Sequence, residues 1–344
     1  MRGRRYGLSG DAADLCSAKK RVKTCGCKKM FVTLWSKERG EIKMTLSVLI
    51  PTYNDDCTRL VGDLASQCAQ VMNRGTIDDY EIVVADDGST CLATVAALQR
   101  IEEQPHCRLI SLNTNRGRSA VRNLLAHEAK GDRLLYIDSH MSIISADFIS
   151  RWANTEAPVA QGGYKVTADA GQWKGNLRFI YEQRAEARKA ANENPNMDFH
   201  TSNFIIDRTL MLAHPLDERM QRYGYEDVSF GKQLMEAGIR VVHVDNPVGF
   251  ATFEPNERFM QKTDESLLTA AEFCDELRGY SRLVDTVERL DKHRLTPLLH
   301  LAYRLLQRPL RANLCSATPS ILLFDIYKLL AMSHQYQERK KPKK

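Results

Sequence analysis

The sequence predicts an α/β fold: a mostly parallel sheet flanked by helices, with a helical C-terminal extension. Two observations predict it. From residue 45 onward, short apolar runs with β character alternate with segments of helical spacing, the pattern of βαβ units. Four polar clusters, at 52–56, 86–90, 113–118 and 138–140, fall at the ends of these runs, and open parallel sheets bind ligands beyond the carboxyl ends of their strands.

Residues 46–51 form an apolar strand that runs into Thr52, Tyr53 and Asn54. Residues 58–73 place Leu60, Val61, Leu64, Cys68 and Val71 on one helical face. A second strand, 80–85, ends in Asp86, Asp87, Gly88 and Ser89, and helical spacing resumes at 92–103. The third strand, 108–112, leads to Asn115, Arg116 and Gly117 and a helix near 118–130. The fourth, 134–137, ends in Asp138, Ser139 and His140. The second half reads as a strand at 159–166, a polar amphipathic helix at 174–192, a strand at 200–206 and a helix at 226–236. Gly238 suits the left-handed position that closes that helix. A strand at 240–244 follows, then a mainly helical stretch at 257–310 and an apolar helix at 322–332 with a basic tail.

Charge is unevenly placed along the 344 residues. The net charge is +6, yet residues 1–43 alone carry +8 and the remainder carries −2. The basic excess therefore belongs to a leader, which argues against nucleic acid as the main partner of the folded body. The leader lacks the apolar core of a signal peptide, is poorly periodic and ends before Met44, so it is expected to be a disordered tail or an upstream mis-start with Met44 as the natural start. No run reaches the roughly 20 apolar residues that span a bilayer. Nine cysteines without framework spacing fit a reducing, cytoplasmic setting, and Cys25 and Cys27 have no second ligand pair nearby.

The chemistry sits at the strand ends. There is no G-x-G-x-x-G after the first strand and no P-loop, so hydride transfer and kinase chemistry lack their phosphate cradle. A carboxylate ending the second strand can accept from a base N–H or a ribose hydroxyl, and Tyr53 can pack against a base. Arg116, Arg118 and Arg122 offer charge to a diphosphate, with a solvated helix face as the plain alternative. Asp138 and His140, two residues apart at a strand end, can both reach one divalent cation; two solvated polar residues are the alternative there. Glu226 and Asp227 open a helix, where the dipole favours carboxylates whether or not they act on a substrate.

In this order and spacing, Pro51 to Asn54, Asp86 to Ser89, Asn115-Arg116-Gly117 with Arg122-Asn123, the Asp138-x-His140 pair and Tyr225-Glu226-Asp227 resemble the family 2 glycosyltransferases over about residues 45–260. The resemblance implies a GT-A (Rossmann-like) fold and transfer from a nucleotide-diphosphate sugar, typically with inversion. It implies a donor site of Pro51, Thr52, Tyr53, Asn54, Asp86, Asp87, Asn115, Arg116, Gly117, Arg122, Asp138 and Ser139, with Asp86 first and Asp87 next for the nucleoside. It implies a metal at Asp138 and His140, where most relatives have Asp-x-Asp. An imidazole favours Mn²⁺ over Mg²⁺. Asp227 becomes the general base and Glu226 its orienting partner. Many relatives carry a further metal-binding histidine near 248–251, where this chain has Gly249, Phe250 and Ala251.

The expected organisation is a leader (1–43), a GT-A domain (44–256, donor half 44–141, acceptor half 142–256) and a helical extension (257–344). His200, Ser202, Asn203 and Tyr225 are the acceptor-side candidates. Trp152, Trp173 and Tyr181 are sugar-stacking candidates, with core packing as the competing role. The expected activity is metal-assisted, inverting transfer of a hexose or N-acetylhexosamine to a glycan or lipid-linked acceptor in polysaccharide biosynthesis. Alternatives are an inactive nucleotide-sugar-binding protein or a nucleotidyltransferase. Residues 322–344 are expected either to touch the inner face of the cell membrane peripherally or to dock on the domain.

Overall fold

The structure, a computed structural model, describes residues 44–186 and 195–340. The leader 1–43, the end of the 174–192 helix and the last residues of the basic tail lie outside the described residues.

The central sheet has seven strands in the order β3-β2-β1-β4-β7-β5-β8: β1 (Thr45–Thr52), β2 (Asp79–Asp86), β3 (Cys107–Ser111), β4 (Arg133–Ile137), β5 (Val159–Gln161), β7 (Asn203–Asp207) and β8 (Val242–His243). β6 (Tyr164–Val166) and β9 (Val248–Phe250) form a separate parallel pair. The first four strands are parallel, as the βαβ pattern requires, and β7 alone runs antiparallel between β4 and β5. β1 shows why the sheet is covered on both sides. Leu46, Val48 and Ile50 point into one core and Leu49 into another, and all four are fully buried.

The helices are α1 (Thr58–Asn73), α2 (Leu92–Gln99), α3 (Arg118–Glu128), α4 (Phe148–Ala153), α5 (Ala170–Trp173), α6 (Leu177–Glu186), α7 (Arg208–Ala213), α8 (Glu226–Glu236), α9 (Asn256–Glu272), α10 (Cys274–Leu277), α11 (Arg282–Lys292), α12 (Thr296–Leu314) and α13 (Ile321–Lys340). The α1 residues read as an apolar face are buried against β1 and β2. α9 to α13 share a third core with Leu177 of α6. Asn256 ties this region together: its Oδ1 accepts from Leu177 N at 2.7 Å, and its Nδ2 donates to Gly175 O and Ser316 O.

Register positions the site. Thr52 pairs with Asp86, and Asp86 with Ser111, so the polar ends of β1, β2 and β3 lie side by side. Leu49 pairs with Tyr136, which brings Asp138 level with Pro51.

The expected single strand at 159–166 is two strands in two sheets. The break is at Gly162-Gly163. A Cβ on Gly162 would lie 2.3 Å from Asn246 O and 2.4 Å from Asn203 Nδ2, so only glycine lets these segments meet. β9 escaped the sequence reading because three residues around a glycine carry no periodic signal. The apolar helix at 322–332 lies within α13 and is docked: Phe324, Tyr327, Leu330 and Met332 are buried, although Leu322 and Ile326 stay exposed.

Two alanine substitutions should therefore act in opposite directions. Gly162→Ala should cost about 1–3 kcal/mol through overpacking. Gly62→Ala, in α1 with its nearest neighbour 4.0 Å away, should gain roughly 0.5–1 kcal/mol of helix propensity. Urea unfolding of both variants measures this.

Candidate active site

A cavity of about 1390 Å³ opens at the carboxyl ends of β1, β2 and β4. Among the residues expected from sequence, Pro51, Thr52, Tyr53, Asp87, Asn115, Gly117, Arg122, Asp138, Ser139, His140, His200, Ser202 and Asp227 line it. Asn54, Asp86, Arg116, Asn203, Glu226 and Tyr225 do not: Asp86, Asn203 and Glu226 are buried behind the wall, while Asn54 and Arg116 are exposed outside it.

Their hydrogen bonds explain why. Asn54, left-handed at φ 52°, accepts from the backbone N–H of Thr90 and Cys91 and so fastens the β1 loop to the β2 loop. Asp86 accepts from Ser89 N at 2.9 Å. Asp87 accepts from the backbone N–H of Arg116 at 2.7 Å and Gly117 at 3.0 Å, fixing the entry to α3. Burial pushes the Asp87 carboxyl above its ordinary value, against the pull of those two donors. Asn203 donates to Gly163 O and Asn246 O, at the junction that Gly162 permits. Tyr225 packs against the C-terminal core, and burial pushes its phenol up to about 12.

A charge network forms the centre. Arg122, almost wholly buried, donates to Asp138 Oδ1. Arg118 reaches Asp138 Oδ2 at 3.7 Å and its Nε donates to Glu226. One guanidinium thus joins the end of β4 to the start of α8. Burial raises the Asp138 carboxyl, but Arg122, Arg118 and His140 outweigh it and hold it below the usual carboxylate range. His140 is open to the cavity, yet protein surrounds that cavity. This desolvation, assisted by Arg118 and Arg178, keeps its ring below the ordinary imidazole value against the pull of Asp138 and Asp55.

Asp227 enters from α8. Tyr225 at the helix cap is left-handed at φ 71°, an uncommon conformation for a bulky residue, and the chain turns sharply into the first helical turn there. Asp227 Oδ1 accepts from Val228 N at 2.8 Å, and His200 Nδ1 stands 3.5 Å from its Oδ2. Burial raises the Asp227 carboxyl, but His200, Val228 and Arg118 bring it below its ordinary value, so it is a carboxylate at neutral pH.

Asp138 and His140 fit a borderline divalent cation: one carboxylate oxygen donor and one imidazole kept neutral, two residues apart at one strand end. The ring of Phe250 lies edge-on to His140, centroids 5.2 Å apart, and supplies no ligand atom there. His243 does not replace it; its ring contacts Gln161 and Pro195 O. Asp55, missed in the sequence although inside the 52–56 cluster, lines the same floor and accepts from Ser139 Oγ at 2.7 Å.

Further lining residues come from helices and loops that no strand-end pattern marks. Arg178 of α6 pairs with Glu182 and Glu254 and lies over the Phe250 ring at 5.6 Å. Tyr223 is flanked by Arg118 at 5.3 Å and Lys262 at 5.5 Å. Of the stacking candidates, Trp152 is buried against Phe148 and Trp173 packs on Phe253; Tyr181 packs on Phe259 and Phe324 and also borders the cavity.

Arg122→Met leaves the buried Asp138 carboxylate short of its closest partner and should cost about 3 kcal/mol at pH 7. In the wild type, the depressed Asp138 pKa contributes stability that is present above about pH 4 and lost as pH falls through the folded value. In the variant the carboxyl titrates higher, so its deficit should shrink on acidification. Denaturant unfolding of both proteins at pH 7 and pH 5 reads this out.

Comparison with known proteins now bears on this geometry. Residues 47–212 match the family model described as Glycosyl transferase family 2. An uncharacterized glycosyltransferase of Bacillus subtilis, YfnE, is 30% identical over 255 residues, covering 57% of this chain and 62% of that protein. An N-acetylglucosaminyltransferase of Azorhizobium caulinodans is 30% identical over 119 residues, 34% of this chain and 29% of its own length. The matches thus span less than two thirds of either relative. Among solved structures, a mannosyltransferase of Pyrobaculum calidifontis, in complex with GDP-Man and Mn²⁺, superposes with a TM-score of 0.51 at 12% identity, covering 91% of this chain and 93% of that one. The fold is GT-A, and it is the segment 47–212, just under half of the chain, that matches glycosyl transferase family 2.

Proposed function

We propose that the chain is an inverting, metal-assisted glycosyltransferase that moves a hexosyl or N-acetylhexosaminyl group from a nucleotide-diphosphate sugar to a glycan or lipid-linked acceptor. The observation that carries this reading is one cavity lined both by an ionised Asp227 and by the Asp138–His140 strand end. In this reading residues 44–141 bind the donor and 142–256 the acceptor.

Asp227 accepts the proton of the acceptor hydroxyl as its oxygen bonds to the anomeric carbon. The bond from that carbon to the donor diphosphate breaks, and the diphosphate leaves with the electron pair. One base opposite the leaving group is all that an inverting displacement requires. His200 holds and polarises the Asp227 carboxylate. Asp87, Asn115 and Gly117 border the nucleoside end, and Tyr53, 46% exposed, is available to cover a base. A divalent cation held by Asp138 and His140 would neutralise charge on the departing diphosphate. The imidazole favours Mn²⁺, the ion in the mannosyltransferase that shares the fold. With Phe250 beside it, the site relies on diphosphate and water for its remaining ligands. No described helix is long and apolar enough to cross a membrane, and cytoplasmic work on polysaccharide precursors is part of the proposal.

Asp227→Asn should fold as the wild type and lower turnover by about 10²–10⁴-fold. Near wild-type turnover in that variant removes Asp227 from its role. Activity should vanish on chelation and return with Mn²⁺ more fully than with Mg²⁺; undiminished activity in metal-free enzyme ends the metal assignment. Phe250→His should tighten Mn²⁺ binding measured without donor. Absence of both transfer and donor hydrolysis across a panel of nucleotide-sugars would favour the inactive binding protein, and pyrophosphate release from a sugar phosphate and a nucleoside triphosphate would favour the nucleotidyltransferase.

A further inference from the structure

α12 carries an apolar face that the fold does not cover. Leu298, Leu301 and Leu305 lie at helical spacing on one side and are 64%, 51% and 70% exposed, with Leu295 and Leu306 also open beside them. The opposite side is docked: Leu310 and Leu314 are in the C-terminal core and His300 stacks on His334 of α13. Among the described residues, Leu298 and Leu305, the most exposed, therefore add little to the packing of this domain.

The charge on the helix narrows what could cover them. Thr296–Leu314 contains no aspartate or glutamate. Arg304 and Arg308 are exposed beside the leucines and have no carboxylate partner among the described residues, whereas Arg311 is engaged by Asp264. A second copy of the chain, meeting this face about a two-fold axis, would set arginine against arginine with no acid on the helix to relieve it. The basic leader of this chain would meet the same repulsion. An anionic bilayer meets both demands: its surface potential attracts the arginines and its headgroup boundary takes up the leucines. The helix is too short of apolar residues to span, so the contact is in the plane of the interface.

We infer that the leucine face of α12 is a docking surface for an anionic lipid membrane. It replaces the apolar face of α13, most of which is committed to the core, as the membrane-contacting element. The inference stands independently of the transfer chemistry.

Flotation of the full chain with phosphatidylcholine vesicles, with and without phosphatidylglycerol, tests it. Wild type should float with the anionic vesicles only. The triple variant Leu298→Ser, Leu301→Ser, Leu305→Ser should lose at least about tenfold in bound fraction, with unchanged thermal midpoint and donor turnover. Arg304→Glu with Arg308→Glu should abolish the preference for phosphatidylglycerol. Equal flotation of wild type and triple variant would overturn the inference, because the leader is intact in both. So would wild type that floats with neither vesicle, or a concentration-dependent dimer that the triple variant lacks.

Discussion

The architecture of the site depends on how Asp138 is held. It is a buried carboxylate at the end of a central strand, and a buried charge persists only with partners. Arg122 and Arg118 supply them, both from the first two turns of α3. Arg118 then extends the same charge balance to Glu226 on α8. The position of Asp227, the next residue, is thereby tied to the strand end that would face the donor. The Arg118 guanidinium thus adds a charged link between the two halves of the cavity to the β4–β7 ladder that already joins them. A cation or diphosphate arriving at Asp138 would disturb the Arg122 hydrogen bond and the Arg118 ion pair together, so under the proposed function donor binding and the placement of Asp227 would be electrostatically linked.

Metal chemistry is framed by the same economy. His140 is desolvated enough to stay neutral, which a metal ligand would require, and the apolar Phe250 ring lies edge-on beside it. A site with two protein donors binds weakly alone and gains affinity from the ligand it serves. Arg178 over the Phe250 ring and the Arg118–Tyr223–Lys262 group line the cavity with cations held by aromatic faces and carboxylates.

Much of this was legible in the sequence because parallel sheets write their sites at strand ends. The runs at 46–51, 80–85, 108–112 and 134–137 are β1 to β4, and their terminal residues converge. Less legible was which of two neighbours faces the cavity. Asp86 and Glu226 are as acidic as Asp87 and Asp227, but the first is taken by Ser89 N–H and the second by Arg118. The first choice is made by a turn bond three residues away and the second by an ion pair 108 residues away, and apolar periodicity reports neither. The break at Gly162, the antiparallel β7 and the helix-borne Arg178 and Lys262 depend likewise on segments distant in sequence. The exposed leucines of α12 were hidden within an evenly helical, apolar stretch, where periodicity cannot say which face a neighbour covers.

The account turns on one base, Asp227, acting opposite a departing diphosphate. Proton NMR of the sugar first released when the protein hydrolyses an α-linked nucleotide-sugar such as UDP-N-acetylglucosamine, with Mn²⁺ present, tests that most directly. The account predicts the β-anomer at early times, before mutarotation. An initial product with the α configuration retained would contradict it.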